Sequence, residues 1–226
     1  MPSVVHDATA IGWDHALTFA LNNLTPTPQP SPPGCFGIGG ACMYNCIPYL
    51  ALCSTSCTLA INLGPRQKQA DAGIGPAPEN PSVILEVGDS ESLTQLKTDA
   101  RLWLEHVPEV CLDSLLRSLF SCSVCQVQLV FLISNDPPHP AHPTTPRITV
   151  QLWKGRAATR PPRAGAAARQ REAYMALEAD WSLNATPVYI LLSDVFGAHP
   201  VPAAYGNNDC AVLDTAWLRD LIICSY

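Results

Sequence analysis

Charge is scarce in this 226-residue chain: Lys, Arg, Asp and Glu make up only 14% of it. A formal net charge of -6 excludes a general electrostatic attraction to nucleic acid, so binding a polyanion requires a local basic patch. Aromatic residues are also few, at 7%. The first residues, MPSVVHDATAIGWDHALTF, lack a basic stretch followed by an apolar core, so no secretory signal is expected. Without export, disulfides are not the default. The chain is expected to be intracellular, nuclear or cytoplasmic, with free thiols. By the same logic Asn23 and Asn184, each in an Asn-x-Thr triplet, are not expected to carry glycans.

Pro and Cys are abundant instead, at 22 and 10 residues. TPTPQPSPPG, from residue 25, favours extended chain. The uncharged run that follows holds Cys35, Cys42, Cys46, Cys53 and Cys57. It has the length of a membrane helix, but its glycines, Pro48 and many polar residues oppose one, and no membrane partner is expected. Its cysteines form no Cys-x-x-Cys pair, which removes the common zinc spacing. Residues 1–65 are therefore expected to be a loosely ordered Pro- and Cys-rich segment, with a short helix from Ala8 to Leu21. Residues 66–226 are expected to form the folded domain.

Within that domain the pattern reads as α/β, a mixed central sheet flanked by helices. RQKQADAGIGPAPENPSVILEVGDSES predicts a strand or bend near Asp71, a Gly/Pro loop and a strand at 82–88, and then Ser90 capping a helix. Leu93, Leu96, Ala100, Trp103 and Leu104 fall on one face of that helix, and Pro108 ends it. VCLDSLLRSLFSCSVC has helical spacing. QVQLVFLIS is a continuous apolar run suited to a central strand. RITVQLW alternates, predicting a strand with one wetter face. KGRAATRPPRAGAAARQR predicts a basic loop entering a helix near 165–179. PVYILLSDVFG predicts a strand and turn, and 211–224 a closing helix.

Two acids attract attention. Glu86 sits in the middle of VILEV, and Asp71 precedes the loop before it. If the intervening chain folds back as a hairpin, their carboxylates meet at one end of the sheet. Two converging carboxylates suit Mg²⁺ or Mn²⁺. Such an ion can polarise a phosphate and activate water. A lysine nearby would complete the set, with Lys97 on the following helix as first candidate and Lys68 as second. The bland readings are an acid facing water or paired to a base for Glu86, and a turn residue for Asp71. For Lys97 the bland reading is a partner for Glu91 on a solvated helix face.

Decoys are present. Cys122-x-x-Cys125 followed by His139-x-x-His142 imitates a zinc finger, but the His spacing is short and prolines at 137, 138, 140 and 143 forbid its helix. GIGG and GIG lack the Lys-Ser/Thr of a phosphate loop. Lys154, Arg156, Arg160, Arg163, Arg169 and Arg171 form a tract with no acid between them, fit either to track a phosphate backbone or to serve as a solvated loop.

The combination ADAGIG, PSVILEVGDSES, LKTDARLWLE, QLVFLIS and RITVQLW, with TPVYILLSDVFG and VLDTAWLRDLI, resembles the restriction-endonuclease-like, or PD-(D/E)xK, superfamily, and within it uncharacterised fungal proteins. It spans 66–226 with interruptions and leaves out the Cys-rich N-terminal third. The resemblance implies a Mg²⁺- or Mn²⁺-dependent nuclease acting on DNA. Asp71 and Glu86 would hold metal, Lys97 would join them in catalysis, and Lys154, Arg156, Arg160 and Arg163 would contact the polymer. Gly88 stands where the pattern places its lysine, two residues after the acid. The alternative is a catalytically inactive binding or remnant protein of the same fold. Oligomeric state is not legible.

Overall fold

The computed structural model describes residues 3–24, 60–63, 66–76, 81–89, 92–105, 127–138, 146–157, 171–197 and 199–226. In chain order the elements are α1 (Val4–Asn22), β1 (Ala60–Leu63), β2 (Arg66–Gln69), β3 (Ala72–Ile74), β4 (Val83–Gly88), α2 (Leu93–Glu105), β5 (Leu129–Asp136), β6 (Arg147–Ala157), β7 (Arg171–Asp180), β8 (Val188–Leu191), α3 (Leu192–Phe196), β9 (Cys210–Leu213) and α4 (Thr215–Cys224). Strands β3 to β7 form one five-stranded sheet in that order. β4 and β5 are parallel; the other neighbours in it are antiparallel. Two-stranded antiparallel pairs, β1–β2 and β8–β9, complete the strands. The expected α/β class with a mixed sheet flanked by helices is what the chain adopts.

Alternation along β4 divides the core. Val83, Leu85 and Val87 enter a large apolar cluster with Trp13, Leu17 and Leu21 of α1 and with Leu218 and Ile222 of α4. Ile84 faces the other way, into a smaller cluster with Leu96, Ala100, Trp103 and Leu104 of α2. Because both faces are covered, β4 and most of β5 are buried along their length, as continuous apolar runs require.

Several expectations need correction. The boundary at residue 65 does not separate α1 from the sheet. Trp13, Leu17 and Leu21 are fully buried in the main core, and Trp13 packs edge-on against Phe131 with ring centroids 5.6 Å apart. Ser3 caps this helix, its hydroxyl accepting from the His6 amide at 3.1 Å, so α1 starts well before Ala8. Ser92, rather than Ser90, caps α2, accepting from the Gln95 amide at 3.2 Å; Ser90 lies outside the described residues. The wetter face expected for β6 is exposed only at its start, at Arg147; Gln151 is fully buried between neighbouring strands. It donates to Glu178 at 2.6 Å and accepts from the Trp153 indole at 3.0 Å.

The helix expected near 165–179 is, from Arg171 onward, strand β7. Its Ala, Glu, Met and Leu residues favour helix, but pairing with β6 from Thr149–Asp180 to Ala157–Arg171 outweighs that weak preference. The closing helix is shorter than expected. Residues 210–213 pair with β8, and Asp214 then caps α4 by accepting from the Trp217 amide at 3.1 Å. The expected helix over 110–125 and the Cys-rich run lie outside the described residues. No helix among the described residues is long and apolar enough to cross a membrane.

Candidate active site

β3 and β4 form a hairpin whose last regular pair is Ala72–Leu85. Asp71 is one residue beyond that pair, and its amide donates to the Leu85 carbonyl at 3.2 Å. Its side chain continues the ladder: Oδ2 accepts from the Val87 amide at 2.7 Å. The fold-back that would bring Asp71 and Glu86 to one end of the sheet is therefore present.

Glu86 faces α2 and is only 2% exposed. A carboxylate this deep needs donors on both oxygens. Oε1 accepts from the Trp103 indole at 2.5 Å, and Oε2 lies 3.0 Å from the Lys68 ammonium. The same ammonium reaches Asp99 Oδ2 at 2.9 Å, while Asp99 Oδ1 accepts from Gln95 at 3.1 Å. β2, β4 and α2 thus each contribute to one buried ionic cluster. Burial pushes the Glu86 carboxyl up to about 7, against the pull of Lys68, and the nearby charge of Asp71 adds to the rise. Lys68 is opposed by its own burial, yet Glu86 and Asp99 together hold its pKa above the ordinary range.

Asp71 takes a partner that sequence reasoning missed. His6, in the first turn of α1, places Nε2 3.2 Å from Asp71 Oδ1 and Nδ1 3.2 Å from Asp7 Oδ1. Hydrogen bonding to Asp71, reinforced by Asp7, raises the imidazole to about 9 despite partial burial. A pocket of about 380 Å³ opens beside it, lined by His6, Asp7, Ala10 and Ile11 from α1 and by Gln69, Ala70 and Asp71. No signal in the sequence links residues 65 positions apart in this way.

Lys97 is the one catalytic candidate not brought in. It lies two residues before Asp99 on α2, about 200° around the helix axis from it. Lys68, the second candidate, occupies the place by Glu86. Of the proposed polymer contacts, Lys154 pairs with Asp194 at 2.6 Å, tying β6 to α3. Arg156 meets Glu172 at 3.4 Å and lies over the Tyr174 ring at 5.3 Å, with about half its side chain still exposed. Arg160 and Arg163 lie outside the described residues. Arg171 is drawn inward, donating to the carbonyls of Val127 at 2.8 Å and Gly155 at 3.2 Å and to the Gln128 side chain at 2.9 Å. Among the described residues no group of three or more His, Cys, Asp or Glu side chains forms a metal cage. No family model, curated protein or solved structure matches the chain.

Proposed function

We propose that the chain is a metal-dependent phosphodiester hydrolase with a restriction-endonuclease-like core, acting on DNA, in which Lys68 takes the role expected of Lys97. The observation that carries this is the Lys68 ammonium 3.0 Å from Glu86 Oε2, with Asp71 held against the same stretch of β4 by the Val87 amide and near enough for its charge to raise Glu86. Mg²⁺ is commonly held by one or two carboxylates, with water and substrate phosphate completing its shell. Asp71 and Glu86 fit that requirement in number and in oxygen chemistry, and Asp71 opens to a pocket. Bound there, Mg²⁺ or Mn²⁺ would supply charge neutralisation at the phosphate oxygens and a more acidic water.

The chain's own groups do the rest. Burial raises Glu86 against the pull of Lys68, which disfavours its charged form and makes added positive charge favourable there. Lys68 brings an ammonium to the same spot, suited to orienting a nucleophilic water or to neutralising the phosphate. Trp103 fixes Glu86 through Oε1, and Asp99 holds Lys68 from the far side. Arg156, half exposed on β6, leads into the basic tract that would follow the polymer.

A second reading, a catalytically inactive binding protein of the same fold, is favoured by one specific feature. Both Glu86 oxygens already have protein donors, so Lys68 acts as a resident cation between Glu86 and Asp99. Incubation of supercoiled plasmid and single-stranded DNA with Mg²⁺ or Mn²⁺ decides between the two. Metal-dependent cleavage lost in Asp71→Ala, Glu86→Ala and Lys68→Ala, but kept in Lys97→Ala, is the expected result. No cleavage by the wild-type chain above the three variants would leave the inactive reading standing.

A further inference from the structure

We propose that His6 is a positioning residue for Asp71, which makes helix α1 part of the site. This rests on the reading above, in which Asp71 holds a metal ion. A metal-binding carboxylate needs a fixed rotation about its Cβ–Cγ bond, and that takes partners on both oxygens. Asp71 has them: the Val87 amide on Oδ2 at 2.7 Å and the His6 ring nitrogen on Oδ1 at 3.2 Å. The first is supplied by the hairpin itself. The second comes from a separate element.

His6 is well placed to act as a fixed donor. Its backbone amide is pinned by the Ser3 hydroxyl at 3.1 Å, and its ring is held at the other nitrogen by Asp7 at 3.2 Å. The helix behind it is anchored by Trp13, Leu17 and Leu21, all fully buried. α1 also supplies His6, Asp7, Ala10 and Ile11 to one wall of the pocket through which Asp71 is reached. Asp7 and Asp71 are the charged groups facing the ring. One bond from β4 and one from α1 therefore set the carboxylate, and loss of the α1 bond leaves Asp71 free to turn about the remaining one.

Calorimetric titration of the full chain with Mn²⁺ tests this without requiring turnover. Wild type is compared with Asp71→Ala, His6→Ala and His6→Gln, and thermal unfolding of each confirms folding. The expected result is Mn²⁺ binding lost in Asp71→Ala and weakened about 10- to 100-fold in His6→Ala. His6→Gln, whose amide can still donate to Oδ1, is expected to recover most of the affinity. Should His6→Ala fail to fold, His6→Asn, polar but too short to reach, takes its place under the same criterion. A general role in docking α1 would lower the thermal midpoint without a change in Mn²⁺ affinity. Wild-type-like affinity in His6→Ala, or no recovery in His6→Gln, overturns the positioning role while leaving Asp71 as a ligand. No Mn²⁺ binding by wild type overturns the role of Asp71 and that of His6 together.

Discussion

Trp103 and Lys68 each satisfy one oxygen of a carboxylate that is only 2% exposed. Their removal therefore costs more than the bonds themselves contribute, because Glu86 is left buried and under-paired. Trp103→Phe keeps most of the packing and removes the donor, and is expected to lower unfolding free energy by about 1–3 kcal/mol in urea titration. Lys68→Met strands both Glu86 and Asp99 and should cost about 3 kcal/mol or more by the same measurement. His6 supplies a pH signature. Its folded value, about 9, lies above the ordinary 6.5, so the folded state binds the proton more tightly. That contribution is complete below pH 6.5 and disappears as pH rises through 9. The difference in thermal midpoint between wild type and His6→Gln, in metal-free buffer, is therefore expected to shrink across that window. A constant difference would show that the imidazole charge contributes nothing. Glu86 was legible because a carboxylate inside VILEV breaks an otherwise apolar strand, and Asp71 because it precedes the loop that leads into that strand. His6 was not legible: its partner lies far along the chain, and a histidine in a helical first turn has no distinguishing neighbour.

At the level of elements, apolar pattern identified what the core buries and failed where pairing decides. β4, β5 and the buried face of α2 follow from continuous and periodic apolar residues. β7 does not, since its composition favours helix and only the long register with β6 makes it a strand. The start of that strand is fixed by Arg171, whose guanidinium bonds to Val127, Gln128 and Gly155. A Cβ on Gly155 would lie 2.7 Å from an Arg171 nitrogen, so the guanidinium must shift. Gly155→Ala is expected to cost about 1–3 kcal/mol, from lost hydrogen bonds and from polar groups left unpaired. Hydrogen exchange should quicken at the Arg171 end of β7 and little at the Asp180 end. Equal protection at both ends would mean that the strand does not depend on this anchor.

For the whole molecule, the first two dozen residues belong with the last two dozen. Gly12 of α1 approaches Leu218 and Leu221 of α4 so closely that an added Cβ would meet the Leu221 side chain. Trp13→Ala removes a fully buried indole from the main core and is expected to destabilise by about 3–5 kcal/mol. A chain lacking residues 1–24 should show no cooperative unfolding transition by circular dichroism; a normal transition would mean that the sheet and α4 suffice alone. Composition did not reveal this partnership, because the Pro- and Cys-rich run after α1 suggested a domain boundary where the packing has none.

The closure of first helix on last also sets a timetable for synthesis. α1 leaves the ribosome well before α4, with Trp13, Leu17 and Leu21 uncovered until the later elements follow. At common elongation rates that interval is on the order of ten to forty seconds. For that time the nascent helix carries an apolar stripe without its native cover, a natural landing place for a chaperone until α4 emerges.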